Sequence, residues 1–192
     1  MSRGFLIQMA GHAGAGKTTV AHRLAQRTGA AVLDLDTIKS ALLDAGQDWE
    51  SSSRGSYAAI YALVDDILSI DGARLIVDTP SYWAEIGARL TAAADRHGAE
   101  YLFLECVADG AVRAQRLQSR TRRRSQVAEL DSNPPDSPME MDVLHRRPIH
   151  CPDGTTRVVV RTDEPMDLVS VMAGTGLAAF QQQRGDTERP RG

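Results

Sequence analysis

Apolar residues in this chain fall alternately into short unbroken runs and into helical stripes. The run "FLIQMAG" (residues 5–11) predicts a buried strand, and in "KTTVAHRLAQRTG" Val20, Leu24 and Ala25 keep helical spacing up to a closing Gly29. "AAVLDLD" (30–36) predicts a second strand and Ile38, Leu42 and Leu43 a helix after it, whereas polar "WESSSRG" (49–55) predicts a loop. In residues 56–72, Ile60, Leu63, Val64, Ile67 and Leu68 line one helix face and Gly72 ends it. "ARLIVDTP" (73–80) is apolar without alternation, as expected of a strand buried on both faces. Helix 83–98, strand 100–107, a basic helix 109–124, strand 155–163 and a last helix 163–174, with Pro165 in its first turn, complete the pattern.

Repeated strand–helix alternation predicts an α/β fold: a parallel sheet of about five strands with helices on both faces, in three layers. Ligands of such sheets bind at the carboxyl ends of the strands. One domain is expected over residues 1–178, with an Arg-rich lid at about 119–138. The Pro-rich, aperiodic segment 125–138 is expected to be a mobile loop, and the polar tail 179–192 to be disordered.

Between the first strand and helix stands "GHAGAGKT" (11–18), which fits G-x-x-x-x-G-K-[ST] in the strand-then-helix setting that a phosphate-binding loop requires. Its small residues let successive backbone N–H groups face anionic oxygens, and the following helix offers its positive end. A nucleotide site is therefore expected over Gly11, His12, Ala13, Gly14, Ala15, Gly16, Lys17, Thr18 and Thr19. Lys17 would reach the β- and γ-phosphates and Thr18 would ligate Mg²⁺. His12 occupies a free position of the pattern and reads as a loop residue, not a catalyst.

Asp78 ends an apolar strand, where it is either a second Mg²⁺-fixing carboxylate beside Thr18 or a turn residue. The run from Asp78 to Ser81 approaches the "DTPG" of GTPases, but Ser81 replaces the glycine and no N-K-x-D motif follows. Asp34 and Asp36 alternate on the second strand, so both can point one way at its end, with Lys39 one turn further. Asp36 then either orients and deprotonates an acceptor hydroxyl, or caps the helix, or does both. Arg113, Arg116 and Arg120 share one helix face by their spacing, and Arg122, Arg123 and Arg124 follow. They form either a solvated basic face or a lid over a triphosphate.

The chain has 192 residues, a hydrophobic share of 42%, a charged share of 24% and net charge −3. That balance suits a globular domain and argues against wrapping a nucleic-acid backbone. No apolar run reaches the ~20 residues of a membrane span. With the first strand starting at residue 5 there is no room for a signal peptide, so a cytoplasmic protein is expected. Cys106 and Cys151 are expected to be reduced thiols, and His145, His150 and Cys151 lack a fourth ligand for zinc.

Taken together, "GHAGAGKTT", "DLDTIK", "SYAAIYAL", "ARLIVDTP" and "VRAQRLQSR" resemble, in order and over about residues 5–175, the small P-loop kinases of the AAA_33 type. Relatives of that group include chloramphenicol phosphotransferase, the zeta-toxin kinases, the polynucleotide 5′-kinase domain and gluconate kinase. The resemblance implies a P-loop NTPase fold using ATP and Mg²⁺, with Asp36 as the base and Lys39 as its partner. It also implies that Arg116 and Arg120 are lid arginines and that Lys17, Arg120 and Lys39 assist transfer. Lys39 stands where the family often has Arg, so a bidentate phosphate clamp at that position is not expected.

The expected reaction moves a γ-phosphate to a hydroxyl of a small metabolite, nucleoside or antibiotic-like molecule. Asp34, Asp36, Lys39, Tyr57, Asp78 and Tyr82 are the expected acceptor contacts. Trp49, Tyr57, Tyr61, Tyr82 and Trp83 suggest a partly apolar or ring-bearing acceptor, unless they serve core packing. Alternatives are an ATP-binding regulatory or toxin-like protein without a small acceptor, and a polynucleotide 5′-kinase, which the net charge disfavours. Both a monomer and a homodimer are compatible with the sequence.

Overall fold

β1 (Phe5–Ala10) is buried along its whole length, as its unbroken apolar run requires, and it forms the centre of a parallel sheet. The computed structural model describes residues 4–130, 132–134, 136–138, 147–165 and 167–177. Among them the sheet holds β1, β2 (Ala31–Asp34), β3 (Arg74–Asp78), β4 (Glu100–Val107) and β5 (Arg157–Arg161), in the order β2-β3-β1-β4-β5. The helices are α1 (Lys17–Thr28), α2 (Leu35–Asp44), α3 (Trp49–Leu68), α4 (Ala84–His97), α5 (Gly110–Ser119) and α6 (Leu168–Gly174).

Successive residues of β1 serve opposite faces. Phe5, Ile7 and Met9 pack with Val20, Ala21 and Leu24 of α1 and with Met172 and Leu177. Leu6, joined by Leu75 and Val77 of β3, packs with Ile60 and Val64 of α3 and with Leu90 and Ala94 of α4. The three layers expected from the alternation are therefore present. All strand pairings are parallel, which brings the ends of β1, β2 and β3 to one edge, with Asp34 opposite Asp78 in register.

Four boundaries differ from the sequence reading. Residues 49–55 are helix, not loop: the Asp48 carboxylate caps α3 by accepting the Ser51 N–H at 2.9 Å and the Ser51 hydroxyl at 2.7 Å. The small residues that mimic a loop here instead let α2 approach α3, and a Cβ on Gly55 would sit 3.3 Å from Leu42. β2 ends at Asp34, because that carboxylate accepts the N–H groups of Asp36 and Thr37 and starts α2 at Leu35. Asp36 thus lies in the first turn of a helix and does not alternate with Asp34 on a strand. α5 stops at Ser119 and leaves Arg120 extended, off the face shared by Arg113 and Arg116. α6 starts after Asp167, which accepts the Val169 N–H, so Pro165 precedes the helix.

The tail 179–192 and His145 lie outside the described residues. Cys106 is buried and Cys151 partly so, and both are free thiols. Among the described residues no helix is long and apolar enough to cross a membrane.

Candidate active site

The phosphate loop joins β1 to α1. Gly11, Gly14 and Gly16 adopt φ of +131°, +77° and +85°, a region that L side chains rarely enter. Space reinforces the restriction at Gly14, where a Cβ would come within 2.7 Å of the Arg113 carbonyl oxygen. The loop is braced from the β5 side. Arg113 donates to the Ala13 carbonyl at 2.9 Å, and the Thr162 hydroxyl donates to the Ala15 carbonyl at 2.9 Å. Arg116 binds the Thr162 hydroxyl at 2.8 Å and its carbonyl at 2.5 Å, with a longer 3.4 Å contact to the Gly14 carbonyl.

Lys17, at the first position of α1, donates to the carbonyls of Gly11 at 3.0 Å and His12 at 3.3 Å, which holds its ammonium over the loop. Thr18 donates its hydroxyl to the Asp78 carboxylate at 2.6 Å, joining the end of β3 to the first turn of α1. Burial pushes the Asp78 carboxyl above its usual range, against the opposing pull of Lys17 and Thr18. Among the described residues, no three His, Cys, Asp or Glu side chains group into an all-protein metal cage. One hydroxyl beside one carboxylate suits Mg²⁺, which keeps several waters and takes substrate phosphates as ligands.

A cavity of about 580 Å³ opens beside the loop. Ala13, Gly14, Lys17, Thr18 and Asp78 line it together with Asp36, Lys39 and Arg120. Trp49, Tyr57, Tyr61, Tyr82 and Trp83 form much of the remaining wall. With Asp34 occupied as the cap, the Asp36 carboxylate bonds instead to the segment after α5. Its Oδ1 accepts the Ser125 hydroxyl at 2.9 Å, and its Oδ2 accepts the Gln126 amide at 3.0 Å. Ser125 and Gln126 are buried, so the first part of the segment expected as a mobile loop is packed onto α2.

Lys39 lies with its ammonium 3.3 Å from the centroid of the Trp49 ring. Burial lowers its pKa to about 8, while the Asp36 charge works the other way. Burial raises the Tyr82 phenol to about 12 and lifts the Tyr57 phenol well above the tyrosine range. Both therefore stay protonated donors at neutral pH. Burial also raises the Cys106 thiol to about 12, which removes thiolate chemistry from this end of the sheet.

Of the residues expected at a site, Ala13, Gly14, Lys17, Thr18, Asp36, Lys39, Tyr57, Asp78, Tyr82 and Arg120 meet around the cavity. Gly11, Ala15, Gly16 and Thr19 belong to the loop and α1 without lining it, and His12 makes a 3.4 Å polar contact with the Tyr82 hydroxyl. Asp34 is drawn away as a helix cap and as the partner of Arg123 at 2.9 Å. Arg116 braces the loop from behind and lies off the cavity wall. Arg120 is on the wall: its Nη2 donates to the Val127 carbonyl at 3.1 Å, and its buried Nε has no acceptor among the described residues. Sequence reasoning missed Ser125, Gln126 and Thr162, which sit in aperiodic stretches or at a strand end and carry no motif.

Comparison with known proteins agrees with this architecture. The family model described as an AAA domain matches residues 6–133. A candidate kinase from Chloroflexus aurantiacus superposes with TM-score 0.70 at 22% identity, covering 94% of this chain and 100% of that one. A gluconokinase from Sinorhizobium meliloti gives TM-score 0.56 at 18% identity over 94% and 93% of the two chains. The Mycobacterium tuberculosis APS kinase, solved with AMPPNP and APS, gives 0.56 at 17% over 94% and 98%. At these identities the likeness is one of fold. No curated protein matches the chain.

Proposed function

The chain belongs to the AAA_33 family of P-loop domains, and from that premise we propose that it is an ATP-dependent phosphotransferase acting on a hydroxyl of a small molecule. One observation carries the reading. A carboxylate that caps nothing, Asp36, stands in the same cavity as the phosphate loop and is fixed through both oxygens.

A triphosphate would bind with its β- and γ-phosphates along the backbone N–H groups of residues 13–18, at the positive end of α1. Lys17 would exchange its two carbonyl acceptors for phosphate oxygens. Thr18 and Asp78 would hold Mg²⁺, which when bound draws charge from the phosphoryl group in transfer. Asp36 orients the acceptor hydroxyl and takes its proton, while Ser125 and Gln126 keep the carboxylate from rotating. Arg120 would bring positive charge to the equatorial oxygens of the transferring group. The neighbours named as kinases of gluconate and of APS accord with a small-molecule acceptor.

The test is a ³¹P transfer assay over a panel of hydroxylated small molecules, run with wild type, Lys17→Ala and Asp36→Asn. The proposal expects ATP binding that Lys17→Ala abolishes, and acceptor-dependent ADP formation that Asp36→Asn removes at unchanged ATP affinity. ATP binding without transfer to any acceptor would favour a regulatory nucleotide-binding protein instead.

A further inference from the structure

Aromatic residues make up 5% of the chain, including two tryptophans and four tyrosines. Both tryptophans and three of the tyrosines line the cavity that holds Lys17, Thr18 and Asp36. Tyr101 lies elsewhere, on β4, giving its hydroxyl to Gln8. Core packing accounts for only part of this concentration: Tyr57 and Tyr61 pack against the core cluster of α3 and α4, whereas neither tryptophan joins a core cluster. The largest fully buried side chains are Phe5, Phe103 and aliphatic residues, and of the five cavity aromatics Tyr82 alone is buried, with Trp83 37% exposed.

Several polar groups on this wall are already engaged. Lys39 lies over Trp49, and Arg89 pairs with Glu85 at 2.8 Å and stands over the Tyr61 ring. A polyol would need a fresh partner for each hydroxyl it buried here, and few remain. A ring needs only faces and edges, which Tyr57, stacked 6.2 Å from Tyr61, and Trp83, edge-on to Tyr82, present. Among the described residues the Tyr57 hydroxyl has no hydrogen-bond partner, leaving it one donor for a polar atom of a ligand.

We infer that the phosphate acceptor is a ring-bearing alcohol whose ring lies among Trp49, Tyr57, Tyr61 and Trp83 and whose hydroxyl meets Asp36. This rests on the kinase reading above. The acceptor O–H gives its proton to the Asp36 carboxylate as its oxygen bonds to the γ-phosphorus. The bond from that phosphorus to the β,γ-bridging oxygen breaks, and ADP leaves with the electron pair. Asp36 shares the cavity with these rings, and its charge is felt at Tyr57 and Tyr82.

Calorimetric titrations with 2-indanol, 2-phenylethanol, D-glucose, D-gluconate and adenosine, each with and without AMPPNP, test the assignment. The ring alcohols should bind at least about 10-fold more tightly than the polyols, equivalent to ~1.4 kcal/mol. Trp49→Leu and Tyr61→Leu should each weaken them by about 10-fold while AMPPNP affinity stays unchanged. Polyols binding as tightly, or ring-alcohol affinity unchanged in both folded variants, would overturn the inference. So would AMPPNP displacing the ring alcohols, because the cavity would then house the nucleobase. Phosphorylation of glucose or gluconate but not of the ring alcohols would overturn it and leave the kinase reading intact. Selective ring-alcohol binding with no probe phosphorylated would uphold the ring site and count against the kinase reading.

Discussion

Asp34 accepts the backbone N–H of Asp36 at 2.8 Å, so the two acidic residues of "DLD" divide two tasks that one carboxylate would perform poorly together. The first closes the helix. The second, relieved of capping, faces the cavity with both oxygens held from α2's other side.

That division predicts opposite phenotypes for neighbouring substitutions. Asp36→Asn should keep the melting temperature and ATP affinity while cutting transfer by about 10²- to 10⁴-fold, the usual worth of a general base. Asp34→Ala loses the cap, about 1 kcal/mol, and should lower the melting temperature by roughly 2–4 °C. A transfer assay beside a melting curve on each variant decides between the roles.

Gln126→Ala frees one oxygen of Asp36 and allows the carboxylate to turn. The expected result is a fall in kcat of about 10-fold with KM for ATP unchanged, in line with losing a hydrogen bond to a charged group. A melting curve and a count of ATP-binding sites beside the kinetics separate this from a folding defect, which would lower the active fraction.

Arg116 and Arg120 are expected to fail differently. Arg116→Ala removes the brace between Thr162 and the phosphate loop, so thermal stability and ATP affinity should both drop. Arg120→Ala touches the cavity wall alone and should reduce transfer by on the order of 10²-fold with little change in ATP binding. Equal small losses in both variants, measured by titration and turnover, would instead indicate a solvated basic surface.

Thr18→Val breaks the 2.6 Å bond between the loop helix and β3, and Asp78→Asn removes the carboxylate charge at its other end. Nucleotide affinity should lose its Mg²⁺ dependence in both, measured as ATP titrations with and without Mg²⁺. Unchanged dependence in both variants would make the pair purely structural.

Lys39 has a folded pKa near 8, below its ordinary value of 10.5. Between those values the unfolded chain binds more protons than the folded one, so this group's contribution to stability rises with pH there. Below about pH 8 its buried charge is a full burden on the fold. Lys39→Met should therefore raise the melting temperature at pH 7 more than at pH 10, provided the Met packs on Trp49. Melting curves across pH 6–11 check the sign.

The fold was legible because buried strands and amphipathic helices write their own periods, and the phosphate loop because its backbone shape demands small residues at fixed positions. Boundaries set by single side chains were not. Asp48 turned an apparently loop-like Ser/Gly stretch into the first turns of α3, and Asp34 moved a helix start one residue upstream of Asp36. The arginines were visible as a group, but the end of α5 at Ser119 separated Arg120 from the others. Ser125 and Gln126 reach Asp36 across about ninety residues of chain, a pairing that no local pattern encodes.

The segment after α5 is bound to α2 well beyond Asp36. The Ser125 N–H and hydroxyl both bond the Ser40 hydroxyl at 3.0 Å, and Arg124 donates to the Leu43 carbonyl at 2.6 Å. Helix α2 and residues 123–126 thus form one mechanical part, tied at the first, second and last turns of the helix. Any displacement of those residues over the cavity is passed directly to Asp36. The distance between this carboxylate and the strip of chain facing it therefore stays constant under such displacement, and the gap that changes is the one to the phosphate loop after β1, two strands away in the sheet.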